Sequence, residues 1–304
     1  MATSHAHQGV IYRSTMAMTD ETYPSVATLF ARKLKRPPPD MKTLRLPQPS
    51  KEFLTRKDGS REIFLIHDFY GCNVKLYPDD TVVKPGTKIH LDEKDALDLA
   101  AELNIPAPRV HEASIASDGV VNIRMDFVEG ESLEDLWPSM PEEDRQDICR
   151  QLREILTTMQ SVESRAGVIG SYNGGPFREC RRMGEYKGGP FHNEAGFNNY
   201  VTKLIGTTPT EINNALRSQL RTDHRIVFAH GDLSQHNIII KDMKISGIID
   251  WEFAGWFPEY WEYVKFFEVQ AKNKDWREYA KYIFPCAYYD QLTTYQGILR
   301  WGVP

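Results

Sequence analysis

Three polar residues stand at a spacing that can do chemistry. Residues 228–252 read Phe228-Ala229-His230-Gly231-Asp232-Leu233-Ser234-Gln235-His236-Asn237, then Ile238-Ile239-Ile240, and later Gly247-Ile248-Ile249-Asp250-Trp251-Glu252. Two apolar runs, Asn237–Ile240 and Ser246–Ile249, flank the polar turn Lys241-Asp242. β-Branched runs broken by a turn predict a short hairpin. Asn237 opens the first run and Asp250 closes the second, so a hairpin brings an amide oxygen and a carboxylate together. Two oxygen ligands with room for water and phosphate suit Mg²⁺. Asp232 lies on the loop entering the hairpin, within reach of the same reacting centre.

His-x-Asp-x-x-x-x-Asn followed by a second Asp is a kinase parts list: a base, a metal-binding amide and a metal-binding carboxylate. His230-Gly231-Asp232 and Ile249-Asp250-Trp251-Glu252 resemble the loop and metal segment of the aminoglycoside phosphotransferase/choline kinase family. The tail Trp251–Tyr263 is similar to that family's fungal branch in particular. The resemblance implies an α+β, bilobal protein-kinase-like fold with a small antiparallel-sheet N-lobe and a mostly helical C-lobe. It also implies ATP and Mg²⁺ as cofactors and a small-molecule hydroxyl as acceptor. Asp232 is then the base, and Asn237 and Asp250 are the metal ligands. His230 braces the loop, and His236 is given no role.

Positioning elements must come from upstream. Ile63–Ile66 and Cys72–Tyr77 carry strand signals, with a turn at Pro78-Asp79-Asp80. Thr81-Val82-Val83-Lys84 is a strand ending in a lysine, the type and place expected of a phosphate-holding group; taken alone a solvated strand-end lysine is the plainer reading, but the 232–250 cluster downstream favours phosphate binding. Residues 92–103 have helical period, with Ala96, Leu97, Ala100 and Leu103 on one face and acidic residues at the start. Glu93 is the candidate partner of Lys84. Asp92 and Asp95 compete, and complementation of the helix dipole accounts for all three equally well. Met125-Asp126-Phe127-Val128-Glu129-Gly130 resembles the family's hinge, whose backbone around Asp126, Phe127 and Val128 would meet an adenine edge. Against the resemblance, the stretch before Lys84 offers a single glycine, in Phe69-Tyr70-Gly71-Cys72-Asn73, where kinases carry a Gly-rich loop.

Residues 142–162 form an amphipathic helix through Ile148, Leu152, Ile155, Leu156, Met159 and Val162. Residues 165–192 are Gly-rich and read as a long irregular stretch that helps to cover the acceptor site; Arg178, Arg181 and Arg182 read as a solvated face, or alternatively as groups that meet an anion. Residues 251–267 hold many aromatics with Glu252, Glu259 and Glu262, either an acceptor pocket for a cationic amine or a helix packed into the lobe. Residues 274–304 read as a further helix with an aromatic-rich tail. The domain expectation is a flexible tail at 1–26 with His5 and His7 exposed, an N-lobe at 27–128 that opens on a short helix at 26–31, and a C-lobe at 129–304.

Composition bounds the partners. A 304-residue chain with net charge −5 carries no basic footprint for nucleic acid. Four scattered cysteines without a Cys-x-x-Cys pair fit a reducing, cytoplasmic setting. No apolar run approaches the roughly 20 residues needed to cross a bilayer, and no secretory signal is evident. Two rival functions remain open: a non-catalytic kinase-like binding protein, favoured by the glycine-poor stretch, and a metal-dependent hydrolase using His230, Asp232 and His236.

Overall fold

The structure is a computed structural model and describes residues 64–302 apart from 70–71, 87–88, 165–166, 182–183 and 269–270. The tail and the helix expected at 26–31 lie outside the described residues.

The chain first builds one antiparallel sheet. Strands β1 (Phe64–Phe69), β2 (Cys72–Leu76), β3 (Thr81–Gly86), β4 (Val110–Ile115) and β5 (Val121–Asp126) lie in the order β1-β2-β3-β5-β4. Between β3 and β4 runs helix α1 (Asp92–Glu102). Alternation along β3 turns Val82 and Lys84 to the buried side, so the pleat itself sends the lysine inward. On α1, Glu93 precedes Leu97 by one turn and Ala100 by two, and all three are buried. Strand β4 was not anticipated. It is bulged and largely exposed, so its sequence shows no clean alternation.

Beyond the sheet, β6 (Glu131–Ser132) leads into α2 (Leu133–Leu136) and α3 (Glu142–Gln160). The α3 stripe predicted from periodicity is the stripe observed: Ile148, Cys149, Leu152, Ile155, Leu156 and Met159 are buried. Residues 165–192 depart from expectation. They contain β7 (Gly170–Ser171) and a two-stranded hairpin, β8 (Phe177–Arg181) with β9 (Gly184–Gly188). β8 shows no apolar alternation because Phe177, Arg178 and Glu179 are all buried, and β9 begins and ends on a glycine, which supplies no side chain to alternate. Then follow α4 (Glu194–Val201), α5 (Thr210–Ser218) and β10 (Ile226–Ala229).

The central hairpin is β11 (Ile238–Lys241) and β12 (Lys244–Ile248), a residue or two from its expected bounds. Its turn is Asp242-Met243, both at positive φ, the arrangement that matches strand twist in a two-residue hairpin. β13 (Gly255–Pro258), α6 (Trp261–Glu268), α7 (Ala280–Ile283) and α8 (Tyr289–Gly302) complete the second lobe. The fold is therefore α+β and bilobal, a sheet with one helix above a mainly helical lobe. Tyr260, Trp261 and Tyr263 are buried, so this aromatic run is core. Among the described residues no helix is long and apolar enough to cross a membrane.

Candidate active site

The fold brings the predicted polar residues together from four separate segments. Lys84 Nζ lies 2.9 and 3.1 Å from the two Glu93 oxygens. It also lies 2.6 Å from Asp250 Oδ1, across 166 residues of sequence. Glu93 is therefore the partner that sequence left among three candidates; Asp92 and Asp95 take a different donor, Asn173. Burial alone would depress the lysine's pKa, but Glu93 and Asp250 outweigh it and raise it. The same contact works in reverse on Asp250, where burial pushes the carboxyl up and Lys84 holds it below its ordinary value. One lysine between two carboxylates leaves the group one negative charge in excess, a setting suited to a further cation.

Asp250 stands at the end of β12 with φ 65°, a left-handed backbone that an aspartate tolerates better than most residues. The turn aims Asp250 out of the hairpin and toward Lys84. Asn237, at the start of β11, donates Nδ2 to the Asp232 carbonyl at 3.0 Å and to Asp232 Oδ2 at 3.3 Å. That fixes the amide: Nδ2 faces Asp232, and Oδ1 points elsewhere. Asn237 Oδ1 and Asp250 Oδ2 take no hydrogen bond from the described residues. Two hard oxygens left unclaimed beside excess negative charge fit a Mg²⁺ ion. Burial pushes the Asp232 carboxyl above its ordinary value, the direction useful in a base.

The loop carrying Asp232 is braced by two residues. His230 is fully buried, with both ring nitrogens engaged. Nε2 meets the Ile249 carbonyl at 3.1 Å, and Nδ1 receives the Asp232 N–H at 3.2 Å. A carbonyl only accepts and an N–H only donates, so the ring is neutral with its proton on Nε2. Burial lowers its pKa to about 4. A neutral ring with no lone pair to spare binds no metal, which removes the hydrolase reading built on His230. Among the described residues no group of three or more His, Cys, Asp or Glu is placed to hold a metal.

The second brace was missed from sequence. Glu262 on α6 accepts the His230 N–H at 2.7 Å and the Gly231 N–H at 3.0 Å. Burial pushes its carboxyl up to about 7, against the pull of those two N–H groups. Removing it strands two buried donors at about 1–3 kcal/mol each. Glu262→Ala is expected to cost roughly 2–5 kcal/mol in urea unfolding, whereas Glu262→Gln, which keeps an acceptor oxygen, costs about 1 or less.

Histidine and glutamate also set opposite pH trends. The native state takes up a His230 proton only near pH 4, the unfolded chain near 6.5, so this contribution is present above 6.5 and lost on acidification. Glu262, with its raised native value, gains stability as pH falls from about 7. The two overlap in the wild type, so the test is a difference. The stability advantage of wild type over His230→Asn is expected to shrink by about 3 kcal/mol from pH 7.5 to 4. A constant gap would refute the buried neutral ring.

The other glutamates of 251–267 are also engaged within the protein. Glu259 pairs with Arg225 at 2.9 Å, and Glu252 with Arg178 at 3.3 Å. Arg178 is thus buried, not on a solvated face, because β8 turns it onto the Glu252 carbonyl and the Phe253 ring. At the hinge, the Asp126 N–H bonds the Arg109 carbonyl and the Phe127 N–H bonds that of Asp80, both at 3.0 Å. The Asp126 carboxylate is held by His111 at 2.6 Å and the Arg109 N–H at 3.2 Å. Of the three hinge N–H groups, only that of Val128 is given to no backbone group among the described residues.

A five-stranded sheet whose Lys84 is paired with Glu93 of its one helix, and which meets a helical lobe through the Lys84–Asp250 contact beside a short hairpin, has a kinase-like architecture. The chain belongs to the phosphotransferase enzyme family, whose model matches residues 74–284. Several solved structures share the fold. Aminoglycoside-3'-phosphotransferase of type VIII is 16% identical over 79% of this chain and 93% of its own, with a TM-score of 0.52. Aminoglycoside phosphotransferase APH(4)-Ia is 13% identical over 78% of this chain and 83% of its own, with a TM-score of 0.57. A thermostable mutant of the latter, in ternary complex with AMP-PNP and hygromycin B, is 14% identical over 82% and 88%, with a TM-score of 0.54. No curated protein matches the sequence.

Proposed function

We propose that this phosphotransferase moves the γ-phosphate of ATP to a hydroxyl of a small molecule. The observation that carries the reading is that Lys84 meets both Glu93 and Asp250, while Ile249, the residue before Asp250, is bonded to Asn237 and His230 on the loop that carries Asp232. Lys84, steadied by Glu93, would hold the non-transferred phosphates; its present contact with Asp250 lends it a temporary partner. Val128 N–H would read the adenine edge, beside Asp126 and Phe127. Asn237 Oδ1 and Asp250 would hold Mg²⁺, which when bound neutralises phosphate charge. Asp232 would take the acceptor's hydroxyl proton as its oxygen bonds to phosphorus and the bond to the β-phosphate oxygen breaks, leaving ADP. The sequence likeness of 251–263 supports a place in the family's fungal branch.

Calorimetric titration with a non-hydrolysable ATP analogue, with and without Mg²⁺, tests the assignment. Saturable binding that needs Mg²⁺ and weakens at least tenfold in Asp250→Ala is the expected result. Absence of binding at millimolar nucleotide would move the chain to the non-catalytic reading, with the glycine-poor stretch at 69–73 as the reason.

A further inference from the structure

Asn173 lies on the turn between β7 and β8, in the second lobe, yet its partners lie on α1 in the first. Its Nδ2 donates to Asp92 Oδ1 at 3.0 Å and to Asp95 Oδ2 at 2.5 Å. Carboxylates only accept, so the amide must face them with its NH₂, one hydrogen to each. Asp92 and Asp95 bracket Glu93 in the first turn of the helix. The amide therefore grips the backbone segment that carries the Lys84 partner.

The turn that presents Asn173 is itself fixed. Ser171 N–H bonds the Gly175 carbonyl at 3.0 Å, and Gly174 N–H bonds the Ser171 carbonyl at 2.9 Å. Gly174 sits at φ 74°, where a side chain would be strained. β7 pairs with β13, and the Tyr172 carbonyl accepts the Trp256 indole N–H at 2.8 Å, with the two rings stacked 5.9 Å apart. Trp256 lies six residues after Asp250 on the same segment. The contacts close into a ring: Asp250 to Lys84, Lys84 to Glu93, Glu93's helix turn to Asn173, Asn173's turn to Trp256, and along the chain back to Asp250.

We infer that Asn173 is a positioning residue, an inter-lobe latch that sets the Glu93 helix at the distance where Lys84 meets both Glu93 and Asp250. It acts on nucleotide affinity through Lys84, and in that respect rests on the proposed phosphotransfer role of the site. Its partners are surface groups, so the effect falls on position rather than on global stability. Asp95 also lies 3.7 Å from Lys94 Nζ, which moderates the charge but holds no part of the second lobe.

Two readouts test it. Hydrogen exchange of the α1 amides reads the latch in the free protein, and calorimetry with the Mg²⁺ complex of the ATP analogue reads its consequence. Asn173→Ala is expected to speed α1 exchange and weaken nucleotide binding about fivefold. Asn173→Asp, which sets a third carboxylate against two, is expected to weaken it more, about twentyfold. The swap Asn173→Asp with Asp95→Asn restores a donor and an acceptor and is expected to recover most of both signals. The thermal midpoint should move by less than about 2 °C throughout. Unchanged α1 exchange in Asn173→Asp overturns the latch whatever the nucleotide does. Faster exchange with unchanged affinity, or a swap no better than Asn173→Asp, overturns the positioning role. If the wild type itself fails to bind nucleotide, the phosphotransfer reading and the positioning role fall together, while exchange still decides the latch.

Discussion

Asp232→Asn is expected to lower kcat by about 10²–10⁴-fold, the range typical of losing a general base, with nucleotide affinity within about threefold of wild type. The substitution is close to isosteric. The loop does not depend on the carboxylate for its shape: His230, Glu262 and the Asn237 contact to the Asp232 carbonyl hold it through backbone groups. What the substitution removes is the carboxylate proposed to take the proton, one oxygen of which lies 3.3 Å from Asn237 Nδ2. Turnover should be measured with an acceptor drawn from a screen of hydroxyl compounds, and binding by calorimetry with the ATP analogue. Near-wild-type turnover would show that Asp232 positions the acceptor without taking its proton. Matched losses of turnover and nucleotide affinity would show that the loop had collapsed. The three outcomes separate because the structural braces and the reacting oxygen are different atoms.

The parts of this site that sequence made legible are those whose neighbours are close along the chain. Asp232, Asn237 and Asp250 are joined by one hairpin, and a hairpin is a local event. Lys84 was legible because strand alternation follows the Pro78-Asp79-Asp80 turn that opens β3, although the strand runs two residues past it. Glu93 was left among three acidic residues, although it stands one turn before Leu97 and two before Ala100 on the buried face of α1. That phase was a usable signal; the residues on either side of it face a different donor. Glu262 could not be read in the same way. Its partners are backbone N–H groups of another segment, and a backbone donor leaves no mark in a sequence. Arg178 and Asn173 were hidden for the same reason: their partners, Glu252 and the Asp92 and Asp95 carboxylates, lie more than 70 residues away in sequence. Long-range pairing, rather than chemistry, is what the sequence withheld.

Lys84 poses the sharper energetic question, because it serves the fold and the site through the same atom. Its side chain is 10% exposed and that of Glu93 only 2%. Lys84→Met removes the one positive charge beside a buried carboxylate, and breaking a buried pair costs about 3–5 kcal/mol. Asp250 suffers less, since its side chain is 37% exposed and water can replace the lysine. The expected result is a protein destabilised by about 3 kcal/mol at pH 7 that no longer binds nucleotide. The penalty should ease on acidification: burial already holds the Glu93 carboxyl above its ordinary value against the pull of Lys84, and with the cation gone burial, Asp250 and Glu252 push it further up, so the native state takes up a proton before the unfolded chain does and gains stability as pH falls. Adding Glu93→Gln removes the stranded charge and is expected to return most of the lost stability at pH 7, without restoring nucleotide binding. Urea unfolding at pH 7 and 5, paired with calorimetry, separates the two roles. A double variant no more stable than Lys84→Met would mean that the pair is not what holds α1 against β3. A double variant that regained nucleotide affinity would mean that the phosphates are held elsewhere.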